Sequence, residues 1–280
     1  MTDELNTIYI ISKGRPQCRT AKTLIKMNYN HPWFIVVGNN DNTLLEYEAN
    51  YPNHVIVFDW YNQVKNIDTL DNFGIDDMPS GATPVRNAVR EISESRGEKR
   101  HWQFDDDYDF FQIYDTSTGK NRCVHDGEEF YNCLSKISKF AYLTNSGNAG
   151  FCQSTMEGSP NNRLTYAKRV FNAHNLPSDK NSFLFWRGRL NDDLINALEM
   201  YHNGRYEFSF KFLQLHMLDT QQEQGGLTDI YKEQGTVRKT AYALLIAPYA
   251  VKLIIKFGRY HHRVNWRRVV PKIINSSYKK

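Results

Sequence analysis

Three consecutive aspartates, Asp105, Asp106 and Asp107, are the residues of this sequence best suited to bind a metal ion. They follow the apolar run WQF, so we predict that they lie at the end of a buried strand. Burying three adjacent carboxylates without a cation is costly. Side chains of a strand alternate between its faces, which puts Asp105 and Asp107 on one face and Asp106 on the other. We therefore predict that Asp105 and Asp107 bind Mn²⁺ or Mg²⁺; the alternative is a solvated turn.

A second acidic pair, Asp192 and Asp193, follows Asn191 where we predict a helix over residues 193–201. Asn and Asp are preferred helix N-caps, and Asp is favoured in the first turn, so capping explains one of them. A carboxylate here could also be a general base that takes a proton from an acceptor hydroxyl. The sequence leaves open which aspartate has which role.

Arg86 and Asn87 lie at the start of a helix that we predict over residues 84–95, with Thr83 as its N-cap. A helix N-terminus favours anions, so both side chains could contact a diphosphate; surface salt bridges are the alternative. The turn KGRP at residues 13–16 lacks the Walker pattern, and no GxGxxG is present. P-loop and dinucleotide sites therefore lose support.

The end of the chain is strongly basic. Residues 1–233 contain 24 Lys or Arg against 31 Asp or Glu, whereas residues 234–280 contain 11 Lys or Arg and no acid. This asymmetry predicts that the terminal segment meets a polyanion; the alternative is a solvated tail without a partner. The same segment carries His261 and His262, which could complete a metal sphere, contact a phosphate or simply pack.

The scaffold for these residues is predicted from alternating strand-like and helical segments in the first half of the chain. Apolar runs at residues 7–12, 33–38 and 55–59 are typical of buried parallel strands. Strands separated by helices predict a mixed, mostly parallel α/β sheet flanked by helices. Further strands are predicted near residues 150–153, 168–173 and 182–186, with a long loop over residues 62–82.

Three polar loops follow the predicted strands of this sheet. They lie at residues 13–16, at Asp41 and at residues 105–107. Ligands of parallel α/β sheets bind beyond the carboxyl ends of the strands. We therefore expect the three loops to converge.

The most apolar stretch, residues 242–257, is predicted to be a helix. It contains Pro248 and Lys252 and is shorter than the ~20 apolar residues that span a bilayer, so no integral membrane segment is expected. We predict a body over residues 1–233 and a basic, mainly helical extension over residues 234–280 that packs on it.

Cysteine usage and the N-terminus bear on the cellular compartment. The four cysteines include no CxxC pair and match neither a disulfide scaffold nor a zinc site. The first residues show no basic stretch followed by a long apolar one, so no secretory signal is expected. Reduced thiols and a cytoplasmic location are the resulting expectations.

The order of these features along the chain resembles that of GT-A glycosyltransferases over roughly residues 5–215. The resemblance implies a nucleotide-sugar donor, a metal held by the acidic cluster and, in an inverting enzyme, a base at Asp192 or Asp193. The residues it assigns to donor binding are Ser12, Arg15, Asp41, Arg86, Asn87 and Asp106.

Within that superfamily, four segments are similar to the TET-associated and phage DNA-modifying glycosyltransferases: IISKGRPQCRTAKTL, WQFDDD, WRGRLNDDLINAL and GRYHHRVNWRRV. The similarity implies transfer from a nucleoside diphosphate sugar, a UDP-sugar first of all, to a hydroxylated pyrimidine in DNA, in the host cytoplasm if a phage encodes the enzyme. Asp192-Asp193 stands where a Glu-Asp pair is more usual, which leaves the base ambiguous. The expected DNA contacts are Arg259, Arg263, Arg267 and Arg268.

Three other functions remain open at this point. The same fold could act on a lipid, polysaccharide or protein acceptor, with residues 242–272 resting on an anionic membrane. A non-catalytic DNA-binding protein would show no metal-dependent nucleotide binding. A nucleotidyltransferase also uses clustered aspartates, but it leaves Asp192 and Asp193 unexplained.

Overall fold

The protein folds around an eight-stranded mixed sheet, and a computed structural model describes residues 6–70, 81–153, 161, 163–217, 237–256 and 258–272. Residues 62–65 of the predicted loop are helical, and residues 71–80 of it, like the predicted boundary at residue 233, lie outside the described residues. The strands are β1 (Ile8–Ile11), β2 (Trp33–Gly38), β3 (Val55–Phe58), β4 (Arg100–Asp105), β5 (Tyr108–Asp115), β6 (Lys120–Cys123), β7 (Asn148–Phe151), β8 (Leu164–Thr165), β9 (Ala173–Pro177), β10 (Glu207–Phe210), β11 (Leu213–Met217), β12 (Val251–Lys256) and β13 (Arg259–Val264). The helices are α1 (Arg19–Lys26), α2 (Leu44–Asn50), α3 (Trp60–Lys65), α4 (Thr83–Ser95), α5 (Gly127–Thr144), α6 (Asp192–His202), α7 (Val237–Ile246) and α8 (Trp266–Val269).

The main sheet has the strand order β3-β2-β1-β4-β9-β7-β10-β8. Strands β3, β2, β1 and β4 are parallel, and β10 is parallel to β7. Strand β9 runs antiparallel between β4 and β7, and β8 is antiparallel to β10. The predicted α/β class, a mostly parallel sheet of the Rossmann-like GT-A type, is confirmed.

Strand β1 shows why this sheet is covered on both faces. Ile8 and Ile10 pack with residues of α1 and α5 on one face, whereas Tyr9 and Ile11 pack with residues of α4 on the other. All four side chains are buried, because a central parallel strand has helices above and below it. The carboxyl ends of β1, β2 and β4 therefore form one edge that is left for polar loops.

A second sheet, in the order β11-β5-β6, continues directly from the acidic cluster. Asp106 and Asp107 form the turn that joins β4 to β5, so they do not continue the strand as an extended segment. The hydroxyl of Thr20, in α1, fixes this turn by donating to the Asp105 carbonyl at 2.7 Å and accepting from the Tyr108 amide at 2.9 Å.

Two predicted elements of the middle region are wrong. The strand expected over residues 168–173 begins at Ala173, and residues 182–186 form no strand. Their backbone instead serves tertiary contacts, as the amide of Trp186 donates to the Asn87 side chain at 2.9 Å. Thr83 is the first residue of α4 rather than its N-cap, and its hydroxyl donates to the Gly188 carbonyl at 2.7 Å.

Within residues 237–256 and 258–272, the C-terminal region contains a β-hairpin beside its two helices, so the prediction of a mainly helical extension is wrong for this part. Helix α7 ends at Ile246, and a β-hairpin of β12 and β13 follows, closed next to Gly258 with its φ of 72°. Pro248 cannot continue the helix, and the segment VKLIIK is rich in residues that favour strands. The hairpin packs on α6, with Val251 buried beside Leu194 and Leu198. Within the described ranges, no helix has the length and apolar character needed to cross a bilayer.

We predict that Gly150→Ala destabilises the junction of β7 and β9 by about 3 kcal/mol, because overpacking forces the strands apart. A Cβ at Gly150 would stand 1.9 Å from the Ala173 carbonyl oxygen. Gly97→Ala is the control: it has open space around it and only the strain of its φ of 74°, about 1 kcal/mol. Urea unfolding would compare them, and equal losses would contradict the close approach.

Candidate active site

The loop after β1 is joined to the acidic cluster through Asp106. The Ser12 hydroxyl donates to Asp106 Oδ2 at 2.5 Å, and Arg15 Nη1 lies 2.9 Å from Asp106 Oδ1. Asp106 is buried, and burial raises the pKa of its carboxyl, an effect that Arg15 and Ser12 oppose. The middle aspartate therefore holds the loop of residues 12–15 against the end of β4.

Asp41 holds the same loop from the other side. Its Oδ2 accepts from the Gly14 amide at 2.7 Å, and its Oδ1 accepts from the amide and the hydroxyl of Thr43. The Tyr47 hydroxyl also accepts from the Arg15 amide at 2.8 Å. The expected convergence of the three loops is present. The donor-binding roles assigned to Ser12, Arg15 and Asp41 stay predictions.

A buried arginine, Arg86, bridges the two acidic groups that the sequence singled out. Its Nη2 lies 3.0 Å from Asp105 Oδ1, and its Nε lies 2.8 Å from Asp192 Oδ2. Burial alone lowers the pKa of Arg86, but Asp105 and Asp192 outweigh burial and raise it. The first turn of α4 thus connects the end of β4 with the start of α6.

Asp107 is the carboxylate of the cluster that is least compensated. Its Oδ1 is buried and lacks a hydrogen-bond partner in the described part of the protein. Burial, followed by Asp105 and Asp106, raises the pKa of Asp107 to about 8. Burial also raises the pKa of Asp105 to about 6, even though Arg86 opposes the shift. Both shifts indicate a site that lacks positive charge.

These two carboxylates fit a divalent cation. Mg²⁺ is commonly bound through one or two carboxylates, with phosphate oxygens and waters filling the other positions. A cation beside Asp105 and Asp107 would satisfy the unpartnered Asp107 Oδ1. Among the described residues, no group of three or more His, Cys, Asp or Glu side chains is placed to hold an ion.

Asp193 has its own arginine. Arg169 Nη1 lies 3.0 Å from Asp193 Oδ1, and the Leu194 amide donates to the same oxygen at 2.8 Å. Burial, opposed by Arg169, raises the pKa of Asp193. Asp192 and Asp193 occupy the first turn of α6, and the Asn191 side chain makes no capping hydrogen bond there. The structure leaves both aspartates as candidates for the base.

Trp186, in the segment after β9, is a residue that the sequence did not single out. Asn87 accepts from the Trp186 amide and donates to the Trp186 carbonyl, so its side chain positions this segment. The Trp186 ring lies against Arg86, with 4.8 Å from the guanidinium to the ring centre, and against His174. The segment WRG, shortly before the acidic pair, could have indicated that Trp186 lies near the site. Nothing in the local sequence pointed to Arg169 or His174.

The predicted ligands His261 and His262 lie on β13, outside the aspartate cluster's hydrogen bonds. Burial, Arg169, Lys239 and then His261 lower the pKa of His262 to about 4. His262 is therefore near the arginine that pairs with Asp193. The roles of both histidines in metal binding stay predictions.

The four predicted DNA-contacting arginines all belong to the C-terminal region and are all exposed. Arg259 and Arg263 lie on β13, and Arg267 and Arg268 lie on α8. Arg268 Nη1 also donates to the Tyr249 carbonyl at 3.2 Å. Their contacts with DNA stay predictions.

The Rossmann-like GT-A sheet carries acidic side chains at its carboxyl edge, and a comparison with protein families identifies the class of protein. The model of the TET-Associated Glycosyltransferase family matches residues 6–226. The chain belongs to this family and is therefore a glycosyltransferase. No curated protein matches the chain.

We predict that metal-free protein loses stability with rising pH because of Asp107. A carboxyl whose folded-state pKa is raised costs nothing below its unfolded pKa of about 4 and its full amount above about 8. Between pH ~5 and ~9, the Tm of wild type should fall relative to that of Asp107→Asn by at least about 3 °C. Thermal unfolding in a chelator measures this.

Mn²⁺ should reverse the loss in wild type and leave Asp107→Asn unchanged. The control is Glu48→Gln, which changes an exposed acid on α2 and should follow the wild-type curve. Parallel plots of Tm against pH for wild type and Asp107→Asn would refute the interpretation that the Asp107 charge is uncompensated.

Arg86→Met should cost about 3 kcal/mol or more, because it leaves Asp105 and Asp192 without their shared partner. Arg90→Met, one turn later, should cost about 1 kcal/mol, because its partner Glu91 is exposed and its partner Glu94 is only half-buried. Denaturant unfolding compares the two.

A rescue experiment sharpens this prediction. Adding Asp105→Asn and Asp192→Asn to Arg86→Met should recover part of the lost stability, because the buried charges are then gone. Additive losses in the triple variant would show that Arg86 acts through packing alone.

Proposed function

We propose that this glycosyltransferase moves a sugar from a nucleoside diphosphate sugar, with a UDP-sugar as the expected donor, to the hydroxyl of a modified pyrimidine in DNA. The observation that carries the proposal is the Arg86 bridge, which joins a metal-binding candidate, Asp105, to a base candidate, Asp192. Donor activation and acceptor activation would then occur at one edge of the sheet. A phage-encoded enzyme of this kind would act in the host cytoplasm.

On the donor side, the loop of residues 12–15 and Asp41 would surround the nucleoside. Asp105 and Asp107 would hold Mn²⁺ or Mg²⁺, which when bound neutralises charge on the leaving diphosphate. Arg86 Nη1 is buried and has no partner among the described residues, so it remains able to donate to a phosphate oxygen. Asn87 would act mainly by holding Trp186 beside Arg86.

On the acceptor side, Asp192 or Asp193 would take the proton of the attacking hydroxyl. As the new bond from oxygen to the anomeric carbon forms, the bond to the diphosphate breaks, and the configuration inverts. Arg86 and Arg169 would keep the two carboxylates in place. The exposed arginines of β13 and α8 would contact phosphates of the acceptor DNA.

A lipid acceptor is the second candidate. The observation that favours it is the exposure of Leu253 and Ile255 on the cationic hairpin, which could rest on an anionic membrane. Vesicle binding in the absence of DNA binding would favour this acceptor.

A transfer assay tests the function directly. Purified protein, Mn²⁺ and a panel of nucleotide sugars are incubated with duplex DNA containing 5-hydroxymethylcytosine, and the nucleosides are then weighed by mass spectrometry. We expect a mass gain of one sugar on the modified base. Donor hydrolysis without labelling of the DNA would show that the acceptor is another molecule. The absence of both donor hydrolysis and DNA labelling would contradict the proposal.

Variants separate the roles within that assay. Asp107→Ala should reduce transfer at least about 100-fold, because the leaving group loses its metal. Of Asp192→Asn and Asp193→Asn, the variant that removes the general base should lose transfer yet still bind the donor. The other variant should mainly lose stability. Glu48→Ala, an exposed acid on α2, is the matched control. Near-normal turnover of Asp107→Ala would refute the metal site.

A further inference from the structure

The β12–β13 hairpin has two chemically different faces. Residues that pair directly across the ladder share a face. The pairs Lys252 with Arg263 and Lys256 with Arg259 lie on one face, on either side of Ile254 and His261. The pairs Val251 with Val264, Leu253 with His262 and Ile255 with Tyr260 lie on the other face. One face is therefore cationic, and the other is apolar and aromatic.

The apolar face is buried at its base and exposed towards its turn. Val251 is buried against α6, but the exposed fractions of Leu253, Ile255 and Tyr260 are 43%, 73% and 48%. An isoleucine and a tyrosine that pair across an exposed ladder contribute little to the stability of the isolated protein. Their placement indicates a partner surface that this part of the hairpin enters.

The hairpin is anchored beside the acidic pair. The Asn191 side chain, just before α6, donates to the Lys239 carbonyl of α7 at 2.7 Å. The Tyr206 hydroxyl donates to the Pro271 carbonyl, after α8, at 2.7 Å. Val251, at the base of the apolar face, is buried in the same core cluster as Leu194, which follows Asp193 in α6. The base of the apolar face therefore lies against the helix that begins with the acidic pair.

We propose that the hairpin is a DNA-inserting element: its cationic face contacts phosphates, while Ile255 and Tyr260 enter the base stack at the acceptor site. A two-stranded ribbon fits a DNA groove, and isoleucine is among the apolar wedges that unstack base steps. Chemistry on a base in a duplex requires the base to leave the stack. Ile255 and Tyr260 fill the space that it leaves. This inference rests on the proposed DNA acceptor.

The proposed DNA acceptor makes DNA, rather than a membrane, the occupant of this face. Lys256 and Arg259 form the ladder pair nearest the turn, on the face opposite Ile255 and Tyr260, so cations accompany the apolar pair. Phosphates on either side of a groove satisfy the same cations, and residues 234–280 contain no acid that would repel them.

Base extrusion is tested with duplexes that carry 2-aminopurine beside 5-hydroxymethylcytosine, without any donor. Binding of wild type should increase the fluorescence of the probe. Ile255→Ser with Tyr260→Ser should bind the duplex but lose most of that increase. Lys252→Gln with Arg263→Gln should weaken binding and reduce the slope of log affinity against log salt by about 2, the value for two phosphate contacts.

The matched control substitutions lie on helices α2 and α5. Lys136→Gln with Lys139→Gln changes two exposed cations of α5. Leu45→Ser with Leu143→Ser changes two leucines with exposed fractions of 80% and 57%. Neither control should change the salt slope or the fluorescence. Thermal unfolding of every variant verifies that it is folded.

The outcomes separate this inference from the proposed function. Where transfer occurs, the Ile255 and Tyr260 variant should lower the ratio of duplex to single-strand labelling about tenfold, since a single strand needs no extrusion. An unchanged ratio or an unchanged fluorescence increase would overturn the insertion. Binding to anionic vesicles but not to duplex would overturn it in favour of a membrane. If no acceptor is labelled, the proposed function fails, while the fluorescence assay still decides the hairpin.

Discussion

The arrangement of the acidic edge depends on Arg86, a buried guanidinium shared by two carboxylates. Asp105 ends β4, Asp192 begins α6, and Arg86 lies in the first turn of α4, so one side chain joins three distant parts of the chain. A buried charge is tolerated only when it is paired. The contacts around Arg86 follow from this constraint: Trp186 covers its guanidinium, and Asn87 fixes Trp186 through both backbone groups.

The edge holds more carboxylates than guanidiniums. Arg15 pairs with Asp106, Arg86 with Asp105 and Asp192, and Arg169 with Asp193, which leaves Asp107 outside these ion pairs. Burial first, and the neighbouring carboxylates after it, raise the pKa values of Asp105 and Asp107. Under the proposed function, this site would receive a cation together with the donor, because phosphate oxygens can complete a coordination sphere that the protein only begins. Metal binding and donor binding would then support each other.

The C-terminal hairpin places positive charge and apolar surface beside this negative edge. Its base is buried on α6, and its outer half is exposed on both faces. With the proposed DNA acceptor, the acidic centre would have to overcome repulsion of the acceptor's phosphates, and the cations of the hairpin would attract these phosphates without pairing with the carboxylates of the cluster. Along the chain, all acids precede residue 234 and only bases follow it.

The sequence by itself determined the mostly parallel sheet, the helix at residues 84–95, the convergence of the three polar loops and the two acidic groups, because these depend on local periodicity and residue type. Only the tertiary structure decided that Arg86 pairs with Asp192, 106 positions away, and that Arg169 pairs with Asp193. It also decided that residues 182–186 are no strand and that residues 251–264 form a hairpin. Short apolar runs suit a helix or a strand equally, and burial against α6 made the choice.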